Sequence, residues 1–506
     1  MTSYDNVVVG GGTAGCVLAT RLSEDDSVQV LLIEAGPAEG PAAMADPAAA
    51  AGLLGTEVDW AFMTVPQAGL GGAKVSYPAG KVLGGSSSIN RMIHLRGHRA
   101  NYDAWAAAGA TGWSYQDLLP YFMRSEHAAG RDPSVRGMTG PMLVAPLPRT
   151  PDSALIEDLF GAVRDAGIPI TDDPNGSAQD GAGWDDWNIV DGKRQSAADA
   201  YLRPVLSRPN LTVVTDAQVR RLIIENGRCR GVEYTAGSRV VQAEAVSEVT
   251  LTAGTIGSAQ LLMVSGVGPA SHLRDLGIDV VMDASGVGQN LQDHPMTSVV
   301  YQASEAALPA VRARGMNVFI ALLRTDPKAA EPDIHLTFAD APYFSPALNG
   351  PTDAYVICCS LMKPASRGSV RLADPDITVP PLIDPNYLGD QADVDRLLSG
   401  LRTASQIGSR ISLKAWNEGE IFPGPGRQDD ASRTDYLRAS ITTYFHPVGT
   451  CQMGSDPAAV VDPQLRVRGV ERLRVADASV MPSIVSANTN ATVLAIAERA
   501  AALIKP

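Results

Sequence analysis

The apolar positions near the start of the chain follow two different periods. An unbroken apolar run at 7–9 is typical of a strand buried on both faces, and the stretch from Ala14 to Leu22 repeats its apolar positions with a helical period. A second buried-strand run at 30–33 ends in the acidic Glu34. A strand, a helix and a second strand in this order predict a βαβ unit.

From residue 211 the apolar pattern changes to short strands. Five of them are predicted, at 211–214, 221–224, 231–234, 240–243 and 248–253. The strand at 248–253 is followed by Gly254 and a helical stretch. As in the N-terminal βαβ unit, this order places the N-terminus of a helix at the end of a strand. Sheet segments far apart in sequence are therefore expected to join one nucleotide-binding domain. Elsewhere the pattern predicts a polar loop at 172–191, a hairpin at 355–372 and helices at 394–407 and 491–503.

Glycines follow the first strand as Gly10-x-Gly12-x-x-Gly15. Such glycines allow a tight turn, a close approach of a pyrophosphate and tight packing of the helix, while an acid such as Glu34 accepts from a ribose hydroxyl. The pattern predicts a dinucleotide site and leaves open whether the cofactor is a nicotinamide or a flavin. A second glycine-rich stretch, at 80–90, offers backbone N–H groups suited to an extended cofactor, or forms a tight turn into a helix.

Composition narrows the choice of partners. The 506 residues carry 41 basic and 55 acidic side chains, and the net charge of −14 argues against a nucleic-acid partner or an anionic membrane surface. The first residues lack a basic and apolar leader, and the first apolar run is too short to span a bilayer, so we expect a cytoplasmic protein. Five cysteines without a repeated spacing suggest neither a disulfide framework nor a zinc site.

Candidate catalytic side chains are few. The seven histidines form no metal-binding spacing pattern, so no protein-bound metal is expected. There is no Gly-x-Ser-x-Gly elbow, which argues against hydrolysis, and the Walker pattern is absent too. His446 precedes a proline among apolar and aromatic neighbours, a context that fits either a core histidine or a partly buried base of tunable pKa. His294 is expected to be structural.

Six motifs occur in an order that resembles a known family. Besides the N-terminal fingerprint, they are Gly80 to Asn90, Gly254 to Gly268, Gly286 to His294, His446 to Thr450 and Val475 to Ser479. By these motifs the chain resembles, from about residue 4 to 505, the glucose-methanol-choline (GMC) family of flavin oxidoreductases. Phe445, directly before His446, is similar to the aryl-alcohol and hydroxymethylfurfural oxidase-like branch of that family.

The resemblance implies an α/β fold with two domains. A Rossmann-like FAD-binding domain of discontinuous segments would carry an α+β substrate-binding domain with an antiparallel sheet. The FAD-binding domain would comprise 1–150, with a surface excursion at 36–75, then 206–295 and 446–506. The substrate domain would comprise 151–205 and 296–445.

The resemblance also implies the site residues. FAD would be held by Gly10, Gly12, Thr13, Ala14, Gly15, Glu34, Ala35, Val82, Gly85, Ser86, Asn90, Arg91, Met92, Val219, Asp477, Ala478 and Thr492. His446 would be the general base that takes the hydroxyl proton, and Asn490 would hydrogen-bond the substrate oxygen. Phe445 and Arg91 would line the substrate cavity.

Several positions depart from the family pattern, among them Ala259, which stands where the second signature usually has a proline. Ile89 stands where some members attach flavin covalently to a histidine, so FAD is expected to be non-covalent. Met296 replaces the glutamate with which choline oxidases hold a quaternary ammonium, which disfavours choline. His94 stands where an aromatic residue is usual. Arg91 replaces a small residue or a tyrosine, and it either favours a substrate that bears a carboxylate or another acceptor, or turns towards FAD or a local acid.

The expected reaction is oxidation of a primary aryl or furanic alcohol to the aldehyde, by hydride transfer to flavin N5, with O2 as acceptor and H2O2 as product. The expected partners are thus a small-molecule alcohol and O2 or another electron acceptor. The alternatives are an alcohol dehydrogenase linked to a quinone or dye, a hydroxynitrile lyase of the same family, and a non-catalytic flavin-binding protein. The presence of both His446 and Asn490 argues against the last alternative.

Overall fold

The computed structural model describes residues 2–147, 154–313 and 318–505. Within them the α-helices span Thr13–Leu22, Arg99–Ala107, Tyr115–Ser125, Ala154–Asp165, Gly254–Val264, Ala270–Asp275, Leu308–Ala313, Gln391–Gly408, Asp430–Ser440 and Asn490–Ile504. No helix in these ranges is both long enough and apolar enough to cross a bilayer. The expected boundary between residues 150 and 151 lies outside the described residues.

A seven-stranded sheet, the mixed sheet, contains the N-terminal βαβ unit. In spatial order its strands are Leu211–Val214, Val30–Ile33, Thr2–Val9, Arg239–Leu251, Arg228–Ala236 and Val219–Glu225, with Leu473–Val475 also paired to Arg239–Leu251. The strands of 219–251 pair antiparallel with one another, and all other pairs are parallel. This sheet confirms the prediction that segments hundreds of residues apart share one nucleotide-binding architecture.

Burial on both faces explains the apolar run at the centre of the mixed sheet. Val7, Val8 and Val9 are buried, and the helices Thr13–Leu22 and Asn490–Ile504 pack together beside them. Arg21 on the first helix pairs at 2.7 Å with the buried Glu498 on the second. The helix Asn490–Ile504 is therefore fixed against the helix Thr13–Leu22. This packing brings Asn490 to the glycine turn at 10–15.

A second seven-stranded sheet, the antiparallel sheet, is built from later segments. In spatial order its strands are Asn417–Phe422, Pro295–Ala303, Ala354–Leu361, Ile334–Ala339, Val318–Leu323 and Gly181–Trp184, and Thr442–Thr443 pairs with the start of Pro295–Ala303. All of these pairs are antiparallel. Thr443 lies opposite Pro295, so the chain that leads to His446 runs beside the chain that carries His294.

The remaining strands are short. They span Phe62–Met63, Ser76–Tyr77, Ile93–His94, Glu126–His127, Met142–Leu143, Ala145–Pro146, Asp186–Trp187, Ile189–Val190, Lys193–Arg194, Val267–Gly268, Met282–Asp283, Ser369–Arg371 and Leu382–Asp384. The predicted helices at 394–407 and 491–503 are confirmed within a few residues.

Two sequence predictions were wrong. The segment 172–191, expected to be a loop, supplies the edge strand Gly181–Trp184, whose partner Val318–Leu323 lies too far along the chain for a local pattern to reveal it. The expected hairpin at 355–372 is absent because Ala354–Leu361 is a fully buried strand with a partner on each side, and Ser369–Arg371 pairs in another sheet.

Candidate active site

The glycine fingerprint forms a turn with open space on one side. Gly10 has a φ of +105°, and a Cβ there would lie 2.7 Å from the carbonyl oxygen of Thr252. A Cβ on Gly15 would lie only 1.9 Å from the carbonyl oxygen of Gly10, so the helix packs tightly on the turn. At Gly12, by contrast, a Cβ would meet nothing nearer than the Cα of Gly85 at 3.8 Å. The two glycine-rich stretches pack directly against each other, since the N–H of Gly84 donates to the carbonyl oxygen of Gly11 at 2.7 Å, and open space remains beside Gly12.

The chemistry of this turn fits the adenosine half of FAD. The helix Thr13–Leu22 begins at Gly12 with no side-chain cap and no acid in its first turn, so its N–H groups and dipole are available to an anion such as a pyrophosphate. The Glu34 carboxylate accepts from the N–H groups of Gly11 at 2.7 Å and Gly36 at 2.8 Å. Burial raises the pKa of Glu34 to about 7. Each of its oxygens keeps a second lone pair for a ribose hydroxyl.

The predicted cofactor residue Asn90 is part of a hydrogen-bond network with Met92 and Arg194. Asn90 Oδ1 accepts from the N–H of Met92 at 3.0 Å and from Arg194 Nη1 at 2.9 Å, which fixes the second glycine-rich stretch. Arg194 was not among the cofactor residues predicted from the sequence. Its Nη2 is buried without a hydrogen-bond partner among the described residues, so it is a further donor for a cofactor.

The C-terminal cofactor residues are joined to the mixed sheet. The Asp477 carboxylate accepts from the N–H of Gly254 at 2.9 Å and from the hydroxyls of Ser258 and Ser479, both at 2.6 Å. Asp477 thereby links the strand Leu473–Val475 to the start of the helix Gly254–Val264. Of the rest, Val82, Met92, Val219 and Thr492 are buried, Ala14 and Gly85 line the turn, Ala35 and Ala478 are half-buried, and Ser86 is exposed. Their contacts to FAD remain predictions.

His294 and His446 form a directly bonded imidazole pair. Their Nδ1 atoms lie 2.9 Å apart, and His294 Nε2 lies 3.1 Å from the carbonyl oxygen of Met362. Because a carbonyl oxygen only accepts, His294 carries its proton on Nε2 and offers a lone pair at Nδ1. His446 must then donate from Nδ1, so its Nε2 bears the free lone pair. This is the atom a general base requires.

Asn488, not Asn490, contacts that lone pair. Asn488 Nδ2 lies 3.2 Å from His446 Nε2, and Asn488 Oδ1 is buried without a hydrogen-bond partner among the described residues. Asn490 begins the C-terminal helix, and its Oδ1 accepts from the hydroxyl of Thr13 at 2.8 Å. The two asparagines lie only two residues apart in the chain, and the side chain of Asn488 contacts His446 while that of Asn490 contacts Thr13.

Asp293 holds the two histidine backbones in place. Its Oδ1 accepts from the N–H groups of His294 and His446, both at 2.9 Å, and its Oδ2 accepts from the hydroxyls of Thr443, at 2.6 Å, and Tyr387. The intervening Phe445 has a φ of +67°, an unfavourable conformation for a bulky residue. Asp293 lies within the motif from Gly286 to His294, and no sequence signal distinguishes it from the other residues there. The structure makes it the anchor of the strained loop that presents His446.

Burial keeps the imidazoles neutral. Burial, and secondarily the nearby His335, lowers the pKa of His446 to about 3. Burial likewise lowers the pKa of His294 well below its ordinary value. The ring of Tyr444 lies 4.7 Å from the His446 ring, and its hydroxyl bonds that of Thr337 at 3.0 Å. At neutral pH His446 is therefore a neutral imidazole, with its proton on Nδ1 and none on Nε2.

An apolar wall flanks the histidine pair. It consists of a cluster of buried side chains from the antiparallel sheet and its neighbours, namely Met296, Val300, Ala354, Val356, Cys358, Met362 and Tyr444. Tyr343 and Phe344 pack against it. Such a wall suits a flat, apolar substrate group better than a strongly hydrated one.

Arg91 and His94 have different surroundings. Arg91 is exposed, its guanidinium lies 5.1 Å from the centre of the Tyr343 ring, and it forms no ion pair with a described residue, so the local-acid alternative finds no support. His94 Nε2 lies 3.0 Å from Oε2 of the buried Glu126, which also bonds Arg96 and Arg136. His94 therefore belongs to a buried ionic network, whereas Arg91 is exposed beside the ring of Tyr343.

Comparison with known proteins identifies the family of the chain. The GMC oxidoreductase family matches the chain in two segments, 4–296 and 364–497. The chain is 40% identical to mitochondrial choline dehydrogenase from Homo sapiens, over 99% of this chain and 90% of that protein. The structure is similar to pyridoxine 4-oxidase from Mesorbium loti, with 36% identity, a TM-score of 0.94 and coverage of 99% and 98%. A fungal aryl-alcohol oxidase matches with 26% identity, a TM-score of 0.86 and coverage of 100% and 99%.

The chain belongs to the GMC oxidoreductase family. It is an FAD-dependent alcohol oxidoreductase, and the resemblance read from the six sequence motifs is confirmed.

Proposed function

We propose that this chain oxidises a primary aryl or furanic alcohol to the aldehyde, with non-covalent FAD as cofactor and O2 as the electron acceptor, which is reduced to H2O2. The observation that carries the proposal is the unprotonated Nε2 of His446, which has the side-chain amide of Asn488 at 3.2 Å. FAD, when bound, supplies the acceptor for the hydride that leaves the α-carbon of the alcohol.

His446 and Asn488 act on the alcohol oxygen. The hydroxyl donates to His446 Nε2, which takes its proton, and Asn488 Nδ2 donates to the same oxygen as negative charge develops there. The proton that arrives at Nε2 makes His446 cationic, and the lone pair of His294 Nδ1 then stabilises the N–H at His446 Nδ1. Asn490, expected from the sequence to bond the substrate, is proposed instead to hold the cofactor turn through Thr13.

Three observations support the finer assignment. The apolar wall at Met296, Met362 and Tyr444 suits an aromatic or furanic ring. Ile89 cannot form a covalent link to a flavin, so the cofactor is held by contacts alone. Two proteins of the same fold are named as oxidases, a pyridoxine 4-oxidase and an aryl-alcohol oxidase, which favours O2 over a quinone or a dye.

The test is anaerobic reduction of the holoenzyme by benzylic, furanic and aliphatic alcohols, followed by flavin absorbance. We expect the aromatic and furanic alcohols to bleach the flavin fastest, and H2O2 to appear in equal amount when air is admitted. His446→Ala should retain FAD but slow the reduction by about 10²- to 10⁴-fold, the usual contribution of a general base. Unchanged reduction by this variant would rule out the assignment of His446, and reduction without peroxide would point to another acceptor.

A further inference from the structure

The segment that carries Asn488 forms neither a helix nor a strand. It spans 482–488, just before the helix Asn490–Ile504, and residues 484–487 are fully buried. Buried backbone N–H and C=O groups outside a helix or sheet need partners from side chains or water, so the position of this segment depends on the side chains that reach it. The placement of the Asn488 amide beside His446 therefore depends on them too.

Two of these side chains come from the chain segments that orient His294. Gln292, two residues before this histidine, accepts through Oε1 from the N–H of Ile484 at 3.2 Å. The ammonium of Lys363 donates to the carbonyl oxygen of Ile484 at 3.0 Å. Lys363 directly follows Met362, whose carbonyl oxygen lies 3.1 Å from His294 Nε2. The backbone of Ile484 is therefore bonded to both segments that hold this histidine.

An ion pair with Glu331 fixes the direction of Lys363. The ammonium lies 3.2 Å from Glu331 Oε1, and the two side chains are only 19% and 22% exposed. An ion pair this far from solvent needs a well-defined geometry and further hydrogen bonds to offset the loss of hydration. Glu331 Oε2 accepts from Asn101 Nδ2, and Asn101 Oδ1 accepts from the N–H of Ser486 at 2.9 Å. Glu331 thus orients two side chains that bind the segment 482–488.

We propose that Lys363 is a positioning residue for the alcohol oxidation: by holding the carbonyl of Ile484, it sets the separation between Asn488 Nδ2 and His446 Nε2. This inference rests on the proposed function, in which these two groups bind one alcohol oxygen. The carbonyl that orients the histidine pair belongs to the preceding residue, Met362, so the base and the amide are both held from one dipeptide. A misplacement of about 1 Å in such a pair of groups costs about 10²-fold in rate.

The kinetic test is anaerobic stopped-flow reduction of the holoenzyme by benzyl alcohol at saturating FAD. Lys363→Met removes the donor to Ile484 but keeps a side chain of similar length, and it should slow reduction by about tenfold to a hundredfold without weakening FAD binding. Lys363→Arg keeps a cationic donor and should recover most of the rate.

The matched control is Arg367→Met. Arg367 lies in the same turn as Lys363, and its guanidinium bonds the carbonyl oxygens of Pro364 and Ala365. Loss of these bonds perturbs the turn while the Lys363 contact to Ile484 remains, so reduction should stay within about twofold of the wild type. Given that Asn488→Ala slows reduction, equal rates in Lys363→Met and Arg367→Met would overturn the proposal.

A double-mutant cycle tests whether Lys363 acts through Asn488. Once the amide is removed by Asn488→Ala, there is no group left for Lys363 to position. Adding Lys363→Met to that variant should therefore slow reduction by no more than about twofold further. A loss as large as in the wild-type background would show that Lys363 acts by another route.

A structural readout separates this inference from the proposed function. In a crystal structure of the Lys363→Met holoenzyme, Asn488 Nδ2 should be displaced from His446 Nε2 by about 1 Å relative to the wild type. If it is displaced but Asn488→Ala reduces flavin normally, or no alcohol reduces the flavin at all, the proposed chemistry is wrong and the positioning by Lys363 stands. An unchanged distance rejects the positioning, whatever the rates. Glu331→Gln, which removes the charge that orients Lys363, provides the same comparison if Lys363→Met does not retain FAD.

Discussion

His294 Nδ1 accepts a hydrogen bond from His446 Nδ1 across 2.9 Å, and this contact decides which nitrogen of His446 can act as a base. The carbonyl oxygen of Met362 fixes the proton of His294 on Nε2. His294 Nδ1 must then accept, and His446 Nδ1 must donate to it. The backbone carbonyl of Met362, the residue directly after the strand Ala354–Leu361, thus sets the tautomer of both histidines.

Replacing His294 tests this contact. His294→Ala removes the acceptor, so the proton of His446 is free to move to Nε2, and we expect flavin reduction to slow by about tenfold or more, with the 10²- to 10⁴-fold contribution of the base itself as the upper limit. His294→Asn can place an amide oxygen near the lost Nδ1, so it should recover most of the rate. The measurement is anaerobic stopped flow at equal FAD content. Equal rates for wild type and His294→Ala would show that the tautomer does not depend on His294.

The pH dependence of alcohol oxidation follows from the buried state of His446. A base acts only when unprotonated, so its contribution is present above its pKa and is lost as pH falls through it. Because burial lowers the pKa of His446 from its ordinary value to about 3, the acid limb moves below the usual range. With benzyl alcohol, which does not ionise, kcat/KM should stay level from about pH 8 down to about pH 5. An acid limb near the ordinary histidine pKa of about 6.5 would contradict this prediction.

Asn488 and Asn490 should differ sharply when each is changed to alanine. Asn488→Ala removes the amide beside His446 Nε2, so flavin reduction should slow by about 10²- to 10³-fold, as when one transition-state donor is lost, while FAD stays bound. Asn490→Ala removes the acceptor of Thr13 at the cofactor turn, so its main effect should be weaker FAD binding. Titration of apoprotein with FAD and stopped-flow reduction at saturating FAD separate the two effects. The reverse pattern would restore Asn490 as the substrate ligand.

The cofactor half of the site could be predicted from the sequence because its signals are local. Gly10, Gly12 and Gly15 have fixed spacing; a Cβ on Gly10 or Gly15 would clash with the backbone, and Gly12 leaves open space beside the turn. Glu34 ends its strand where the fingerprint requires an acid. These features depend on a single turn and its two flanking strands, so the order of residues is sufficient to find them.

The catalytic half could be predicted only in part, because it is assembled from distant segments. His446 was found by resemblance, but its bond to His294 requires Thr443 to lie opposite Pro295 in the antiparallel sheet, a pairing that no local pattern encodes.

Arg91 offers a test of whether the substrate carries a negative charge. Its guanidinium lies over Tyr343 and forms no ion pair with a described residue, so it is available to an acceptor on the substrate. Arg91→Ala should therefore lower kcat/KM for 4-carboxybenzyl alcohol about tenfold more than for benzyl alcohol, the equivalent of a partly exposed charged hydrogen bond. Arg91→Lys keeps the charge but not the planar fork, so it should recover part of the loss. Equal losses for the two alcohols in Arg91→Ala, accompanied by weaker FAD binding, would instead assign Arg91 to the cofactor.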